Sequence, residues 1–340
     1  MLPHQYIDST SGQVITEKLF ADPVVNLLYS DVRENIPVLF KALTRPWISS
    51  ALGFLNYESR LGAKLSGNNR LLRECKVDFG ECLDPPTTLD TPRKIFERKI
   101  RYWETRPMPG CAGTVASPAD SRVLVGSLRE SSALWLKDKF FQYRELIGSD
   151  KSNWLEVFQN GDFAIFRLTP DKYHYNHCPV SGIVLDFYEI PGEYHSCNPG
   201  AVVHLATPYS KNKRTVTVID TNVPGGSIVG RVAMIEVVAL MIGDILQCYS
   251  SKNYDAPRTV EKGMFLKVGQ PKSLFRPGSS TTVLVFQKDQ VQFCPEIISN
   301  MRHPFAQSRF SLNFKTPLVE TDVKVRSIIA KLNSHKMEKK

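Results

Sequence analysis

The stretch Leu-Phe-Arg-Pro-Gly-Ser-Ser-Thr-Thr-Val-Leu-Val-Phe, residues 274–286, is the most informative local pattern in the chain. Gly278 and two small hydroxyl residues, Ser279 and Ser280, stand directly before a run of β-branched and aromatic residues that predicts a strand. Glycine permits positive-φ or strained backbone, and strain beside a hydroxyl is one way to weaken a peptide bond. Taken alone, turn chemistry favours a simpler interpretation, a Gly-Ser turn that leads into a buried strand. The rest of the chain therefore has to decide between the two.

Size and charge narrow the class of protein. The chain has 340 residues, of which 42% are hydrophobic and 23% charged, as in a folded protein with one large core or two smaller ones. Its formal net charge of +9 fits an anionic partner, such as a lipid surface, nucleic acid or an acidic small molecule. Part of this charge lies in the last ten residues, where a solvated basic tail is the simpler explanation.

Cysteine usage and hydropathy bear on the compartment. The seven cysteines form no CxxC pair and no zinc-like spacing, and their odd number favours reduced thiols. The N-terminus lacks the basic and apolar segments of a signal peptide. The longest apolar stretch, around 232–249, is interrupted by Glu236 and Asp244 and is too polar to span a bilayer. We expect a cytoplasmic protein whose membrane contact, if any, is peripheral.

The first third of the chain has helical periodicity. Apolar residues recur at helical spacing from about 13 to 66, and a polar, turn-rich connector follows over 68–92. Pro92 then opens a predicted short helix over 92–104 with one basic and one apolar face. The apolar face of the first region could lie on a bilayer, although packing on the protein's own core is the commoner arrangement. We predict a helical N-terminal region over 1–105.

From about residue 110 the pattern changes to strands. Short runs at 123–125, 163–168, 183–188 and 215–219 are β-branched or alternate, and 230–243 is nearly continuous, which predicts deep burial. Residues 323–332 are predicted to form a closing helical turn. The sequence thus predicts an α+β protein, with a β-rich catalytic domain of mostly antiparallel strands over 106–340 after the helical region.

Three segments carry groups that could react, and one of them is the Gly278-Ser279-Ser280 turn with its two hydroxyls. A loop at 117–121 presents Asp120, which alone is commonest in a solvated Asx turn. The segment 171–179 carries His174 and His177, followed by Cys178, but no further ligand pair at suitable spacing, so we expect no metal. Hydroxyl, imidazole and carboxylate together are the parts of an activated nucleophile, although the chain lacks a Gly-x-Ser-x-Gly elbow.

The order of these segments resembles the phosphatidylserine decarboxylases, which are pyruvoyl-dependent decarboxylases. Residues 77–108 resemble the family's segment with a Phe-Phe-x-Arg-x-Leu run, and 117–120 resembles its Pro-Ala-Asp-Gly loop. Residues 173–182, together with 167–170 before them, resemble its Tyr-His-x-x-His-x-Pro-x-x-Gly signature. Further along, 191–199 resembles its Pro-Gly and Asn-Pro turn, and 278–281 its self-cleavage site. Each match is weak, whereas the ordered set from about 74 to 330 is specific.

The resemblance implies a role for each matching residue. Asp120 would be the acidic member of a triad, His177 its base, and His174 a neighbour of the substrate. Ser280 would become the pyruvoyl group, or Ser279 if the register slips by one. Self-cleavage between 279 and 280 would then leave a heterodimer of chains 1–279 and 280–340. The implied reaction converts phosphatidylserine to phosphatidylethanolamine with release of CO2.

Three departures from the family pattern leave alternatives open. Ser121 and Ser273 each replace a usual glycine, and Tyr175 stands where arginine is common. A soluble decarboxylase of free, for example aromatic, amino acids is one alternative, and a homologue that neither processes itself nor catalyses is another. We expect peripheral contact with an anionic membrane and no nucleic-acid partner, and the pattern leaves a homo-oligomer open.

Overall fold

A computed structural model describes the greater part of the β-rich region. The described residues are 2–19, 22, 27–29, 35, 77–110, 112–132, 140–205, 207–239, 244–277, 280–312 and 317–333. Most of the region predicted to be helical, and both Gly278 and Ser279, lie outside these residues.

The described part of the chain forms sixteen strands and seven α-helices. The strands are β1 (Gln5–Asp8), β2 (Val14–Thr16), β3 (Thr114–Ala116), β4 (Ser121–Ser127), β5 (Asp162–Leu168), β6 (Tyr175–His177), β7 (Gly182–Ile190), β8 (Arg214–Asp220), β9 (Arg231–Val238), β10 (Ile245–Gln247), β11 (Phe265–Leu266), β12 (Pro271–Phe275), β13 (Ser280–Phe286), β14 (Val291–Phe293), β15 (Glu320–Val323) and β16 (Ile328–Leu332). The helices are α1 (Pro92–Phe96), α2 (Tyr102–Thr105), α3 (Tyr143–Ile147), α4 (Ser152–Phe158), α5 (Pro199–His204), α6 (Pro208–Lys211) and α7 (Pro295–Met301).

A ten-stranded sheet forms the frame of the fold. Its order is β11-β7-β8-β9-β13-β5-β4-β15-β1-β2, and every pair is antiparallel except β1 with β15. All residues of β5 and β13, and all but the first of β9, are buried. Their sequences are nearly continuous in apolar or β-branched residues because both faces are covered. The predicted deep burial of the 230–243 run is thus met over β9.

Two three-stranded sheets complete the β structure. One has the order β10-β12-β6 and carries the histidine segment, and the other has the order β14-β16-β3. The described helices are short, with four to seven residues each, and none is long and apolar enough to cross a bilayer. The predicted fold class, α+β with mostly antiparallel strands, is confirmed.

The start and the end of the chain differ from the sequence prediction. β1 and β2 form a hairpin within the region predicted to be helical, and its turn is held by Asp8, whose Oδ1 accepts hydrogen bonds from the backbone N–H groups of Thr10 (2.9 Å) and Ser11 (2.7 Å). The predicted closing helical turn is wrong, since β16 pairs there with β14 and β3. In both places long-range pairing outweighs local periodicity. The boundary near residue 105 stays a prediction.

The predicted helix over 92–104 is two short helices. Thr91 caps α1 by accepting a hydrogen bond from the Lys94 N–H (3.2 Å), and Pro92 occupies the first turn, as expected. Between the helices Ile100 forms a β-bridge with Cys82, which ends the helical run. The arrangement buries Phe96 and Tyr102 against the histidine segment.

Candidate active site

Asp120 lies in the loop before β4 and is fully buried. Arg106 holds its carboxylate with two hydrogen bonds, from Nε to Oδ1 (3.0 Å) and from Nη2 to Oδ2 (2.8 Å). The backbone N–H of Val325 donates a third, 2.8 Å, to Oδ1. Burial acts to raise the pKa of Asp120, but the bonds and charge of Arg106 outweigh it and lower the pKa to about 2. The carboxylate is therefore ionised at neutral pH.

Arg106 joins Asp120 to a second carboxylate. Its Nη1 and Nη2 donate to Oε1 and Oε2 of Glu81 at 2.9 and 2.8 Å, in a fork-to-fork arrangement. Two anions on one guanidinium raise its pKa further above the ordinary arginine value, although burial opposes the shift. Arg106 thus fixes the position of the Asp120 loop.

His177 ends β6 and is fully buried. Its Nδ1 lies 2.9 Å from the carbonyl oxygen of Gly269, and its Nε2 lies 2.9 Å from the hydroxyl of Tyr173. A carbonyl only accepts, so the neutral ring carries its proton on Nδ1 and accepts from Tyr173 at Nε2. Burial lowers the pKa of His177 to about 3. The ring of Tyr102 meets it edge-on, with centroids 4.7 Å apart.

His174 is also fully buried but differs in one ring nitrogen. Its Nδ1 donates to the carbonyl oxygen of Lys172 at 2.8 Å, and its ring stacks on Phe96 with centroids 3.5 Å apart. Its Nε2 has no hydrogen-bond partner among the described residues. Burial, with the charge of Arg98, lowers the pKa of His174 to about 3. The ring therefore presents a neutral nitrogen that can accept a proton.

Ser280 is the first residue of β13. It pairs with Leu168 on β5 and Val238 on β9, is 2% exposed, and its Oγ has no hydrogen-bond partner within the described part of the chain. Leu168 and Val238 belong to one apolar cluster with Ala119 and Phe275. Ala119 precedes Asp120, and Phe275 ends β12. The apolar cluster therefore links the serine to the Asp120 loop and to the three-stranded sheet β10-β12-β6.

Backbone hydrogen bonds connect the three predicted segments. The N–H of His177 donates to the carbonyl oxygen of Pro118 (2.7 Å), two residues before Asp120, and the N–H of Phe275 donates to that of His174 (3.1 Å). Gly278 and Ser279, the other predicted cleavage residues, lie outside the described residues. The structure thus brings the Asp120 loop, the histidine strand and the strand that leads to the cleavage site together.

One expected contact differs. Sequence reasoning has Asp120 holding His177, whereas the described side chains show His177 held by Gly269 and Tyr173, and Asp120 held by Arg106. The charge of Asp120 still acts on both imidazoles and raises their pKa against the effect of burial. The carboxylate therefore supports the histidines through space.

Sequence reasoning also gave no role to two groups in this site. Arg106 lies in the segment 77–108 that resembles the family, but the presence of an arginine there does not reveal that it holds Asp120. The hydroxyl of Tyr254 lies 2.6 Å from that of Tyr173, which is 81 residues earlier in the sequence. It extends the hydrogen-bond chain that begins at His177. No local pattern marks such a contact.

Comparison with known proteins places the sequence in a family. The family described as phosphatidylserine decarboxylase matches residues 93–305, more than half of the chain. A phosphatidylserine decarboxylase proenzyme 2 of Oryza sativa subsp. japonica is 33% identical over 66% of this chain and 34% of its own length. Phosphatidylserine decarboxylase proenzymes of Photobacterium profundum and Clostridium tetani are each 30% identical, over 68% and 83% of this chain and 82% and 87% of their own lengths. The chain thus spans a third of the rice relative and most of these two bacterial ones.

Proposed function

Because the chain belongs to the phosphatidylserine decarboxylase family, we propose that it is a carboxy-lyase that cuts itself before Ser280 and then converts phosphatidylserine to phosphatidylethanolamine and CO2. The observation that supports this most is the buried hydroxyl of Ser280, which lacks a hydrogen-bond partner among the described residues. Leaving a buried hydroxyl unpaired costs free energy, and the hydroxyl of Thr217 is in the same state. Ser280 differs because it stands at the cleavage position that the family resemblance implies, where an unpaired hydroxyl has a chemical use.

Self-cleavage would use the groups described above. A neutral imidazole, with His177 as the expected base, takes the proton of the Ser280 hydroxyl, and Oγ attacks the carbonyl carbon of Ser279. The peptide C–N bond breaks and an ester forms. Loss of the Ser280 α-proton then expels the Ser279 carboxylate and leaves dehydroalanine. One water converts this new end to a ketone and releases ammonia, so that atoms balance.

The residues fit a pyruvoyl group at this position. Ser280 is a buried, otherwise unpaired precursor at the first position of β13. A pyruvoyl group supplies an electron-accepting ketone for decarboxylation. His174, with its unpartnered Nε2, could accept a proton and return it to the substrate carbon. Asp120 and Arg106 would hold the surrounding loop.

The strand pairing also favours two chains that stay together. β13 pairs with β5 on one side and β9 on the other over residues 280–286. A cut before Ser280 removes the residue 280 nitrogen as ammonia but leaves the strand pairing of residues 281–286 on both sides in place. We therefore expect a stable heterodimer of 1–279 and 280–340, which does not require a further homo-oligomer.

Mass spectrometry of the purified protein tests the proposal. We expect two chains that end at residue 279 and begin at residue 280, with a hydrazide-reactive ketone on the smaller one. Ser280→Ala should stay intact, whereas Ser279→Ala should still be cut. Cleavage that depends on Ser279 instead would move the reactive position by one residue, and a wild-type chain that stays intact after long incubation would overturn the proposal.

The substrate is tested with vesicles. Because the net charge is +9, we expect the protein to bind vesicles that contain phosphatidylserine, with binding that weakens as salt rises, and to release CO2 from them. This corresponds to a peripheral protein of the cytoplasmic side. Release of CO2 from free aromatic amino acids, with indifference to vesicles, would favour the soluble decarboxylase instead.

A further inference from the structure

A single carboxylate in the ten-stranded sheet contacts all three strands of the sheet β10-β12-β6. Glu236 lies on β9 and is fully buried. Its Oε2 accepts from Lys272 Nζ on β12 (2.6 Å) and from Gln247 Nε2 on β10 (3.2 Å). Its Oε1 accepts from Asn176 Nδ2 on β6 (3.2 Å) and from the hydroxyl of Ser273 on β12. The sheet that carries the histidines is thus anchored at one point.

The same anchor reaches the strand that begins with Ser280. Thr282 on β13 lies directly opposite Glu236 in register, and its hydroxyl donates to Asn176 Oδ1 at 2.9 Å. Side chains two residues apart in a strand point to the same face. The hydroxyls of Ser280 and Thr282 therefore face the side on which Asn176 lies, and Asn176 directly precedes His177.

The network is charged, buried and paired throughout. Five residues of the network are 0% exposed, namely Glu236, Lys272, Asn176, Ser273 and Thr282. Lys272 balances the charge of Glu236 and also donates to Gln247 Oε1 at 3.0 Å. Burying an ion pair rarely stabilises a fold more than well-packed apolar residues would, but a fully satisfied polar network allows only one arrangement of its strands.

We propose that Glu236 is a positioning residue for self-cleavage. Through Asn176 and Thr282 it fixes the separation between the histidine strand β6 and Ser280 at the start of β13. Lys272, whose Nζ donates to Oε2, holds the carboxylate in place. This inference rests on the proposed self-cleavage and adds the group that sets its geometry. Misplacing reacting groups by about 1 Å can slow a reaction roughly a hundredfold.

Thr282→Val and Thr282→Ser test the link that ends at Ser280. Valine keeps the shape of threonine but cannot donate to Asn176, whereas serine keeps the hydroxyl. We expect the valine variant to cleave itself roughly 10- to 100-fold more slowly than wild type and the serine variant to approach the wild-type rate. Thr217→Val is the matched control, because Thr217 is fully buried on β8 and its hydroxyl has no partner among the described residues.

The unfolding temperature separates positioning from folding. A slow Thr282→Val variant whose unfolding temperature matches that of Thr217→Val supports positioning. Wild-type cleavage rates in Thr282→Val overturn this inference alone, and an intact wild-type chain overturns the proposed function with it. If the valine variant loses cooperative unfolding, Thr282→Ala, which adds no methyl group in place of the hydroxyl, is measured in the same way with the same outcomes.

Discussion

Two buried regions of this molecule hold ionisable side chains in opposite ways. The charge cluster, on strands β4, β5 and β15 and the first residues of the chain, places acids beside bases; its members are His4, Glu17, Arg122, Arg167 and Glu320. The imidazole pocket, around the histidine strand, holds two imidazoles among aromatic rings; its members are His174, His177, Phe96, Tyr102 and Tyr173.

In the charge cluster the direction of the pKa shift of each carboxyl is set by a charged partner. Arg167 donates from Nε and Nη2 to Glu320, at 3.0 and 2.5 Å, and from Nη1 and Nη2 to Glu17, at 3.0 and 2.6 Å. Burial acts to raise the pKa of both carboxyls, but the charge and hydrogen bonds of Arg167, together with the other basic partners in the cluster, outweigh it and lower both pKa values. His4, Glu17 and Glu320 bring ligand atoms together as a metal site would, yet Arg167 supplies the positive charge there.

In the imidazole pocket no ion pair among the described residues opposes the effect of burial on the pKa. The described contacts of the two histidines are carbonyl oxygens, a phenol hydroxyl and aromatic rings. Both imidazoles therefore stay neutral, with pKa values of about 3. The comparison teaches that burial alone does not set protonation. The charged partner decides: the carboxyls beside Arg167 stay ionised, whereas the two imidazoles, which no carboxylate of the described residues contacts, stay neutral.

The largest effect expected from this comparison is the loss of the central cation of the charge cluster. Arg167→Met leaves two buried carboxylates without their main partner, and we expect it to lower the free energy of unfolding by about 3–5 kcal/mol. Lys94→Met is the matched control, because Lys94 is 55% exposed and pairs with Asp90 at the surface, where a pair is worth at most about 1 kcal/mol. Urea denaturation of both variants checks this. Equal losses would show that the cluster is no more tightly coupled than a surface pair.

Much of the fold was predictable because its core strands are locally consistent. The runs that became β5, β7, β8, β9 and β13 are apolar or alternating over their full length. The hairpin of β1 and β2 and the closing strand β16 were not predictable, because their pairing partners lie far away in sequence: β1 pairs with β15, and β16 with β3. Local periodicity contains no information on such partners.

The candidate site was predictable in its residue types but not in its contacts. Ordered motifs single out Asp120, His174, His177 and Ser280, and the fold brings their segments together. Which group holds each of them depends on residues such as Arg106 and Glu236, whose burial and pairing arise only from tertiary packing. A charged residue within an apolar run, such as Glu236 in β9, was the one available signal, and it served only to exclude a membrane span.

The second effect separates the two regions by pH. A histidine whose pKa falls from 6.5 to about 3 on folding binds its proton mainly in the unfolded state. Its contribution to the free energy of unfolding is fully present above pH 6.5. It is lost as the pH falls below this value, by about 1.4 kcal/mol per pH unit. The lowered carboxyl pKa values of the charge cluster contribute stability that is lost only below about pH 4.5.

His177→Gln and Glu320→Gln separate these two windows. We expect His177→Gln to reduce the pH dependence of the unfolding free energy between pH 6.5 and 4.5 by about 1.4 kcal/mol per unit, and Glu320→Gln to change it only below that range. Chemical denaturation at a series of pH values measures both slopes. An unchanged slope in His177→Gln would mean that the folded protein carries this imidazole charged, and the contrast between the regions would disappear.

The smallest effect concerns the phenol that holds His177. Tyr173→Phe removes the hydroxyl that donates to Nε2, and we expect a loss of roughly 1–2 kcal/mol, because a buried acceptor is left unpaired. Tyr175→Phe is the matched control, since its ring stacks on that of Tyr173 with centroids 5.4 Å apart and no described group bonds its hydroxyl. Burial lowers the pKa of His177, and a phenol hydroxyl can accept from the charged ring as well as donate to the neutral one, so we expect the pKa to stay near 3 in Tyr173→Phe. Titration of the ring by NMR measures it, and a pKa that rises toward 6.5 would show that the Tyr173 hydroxyl, and not burial, keeps the ring neutral.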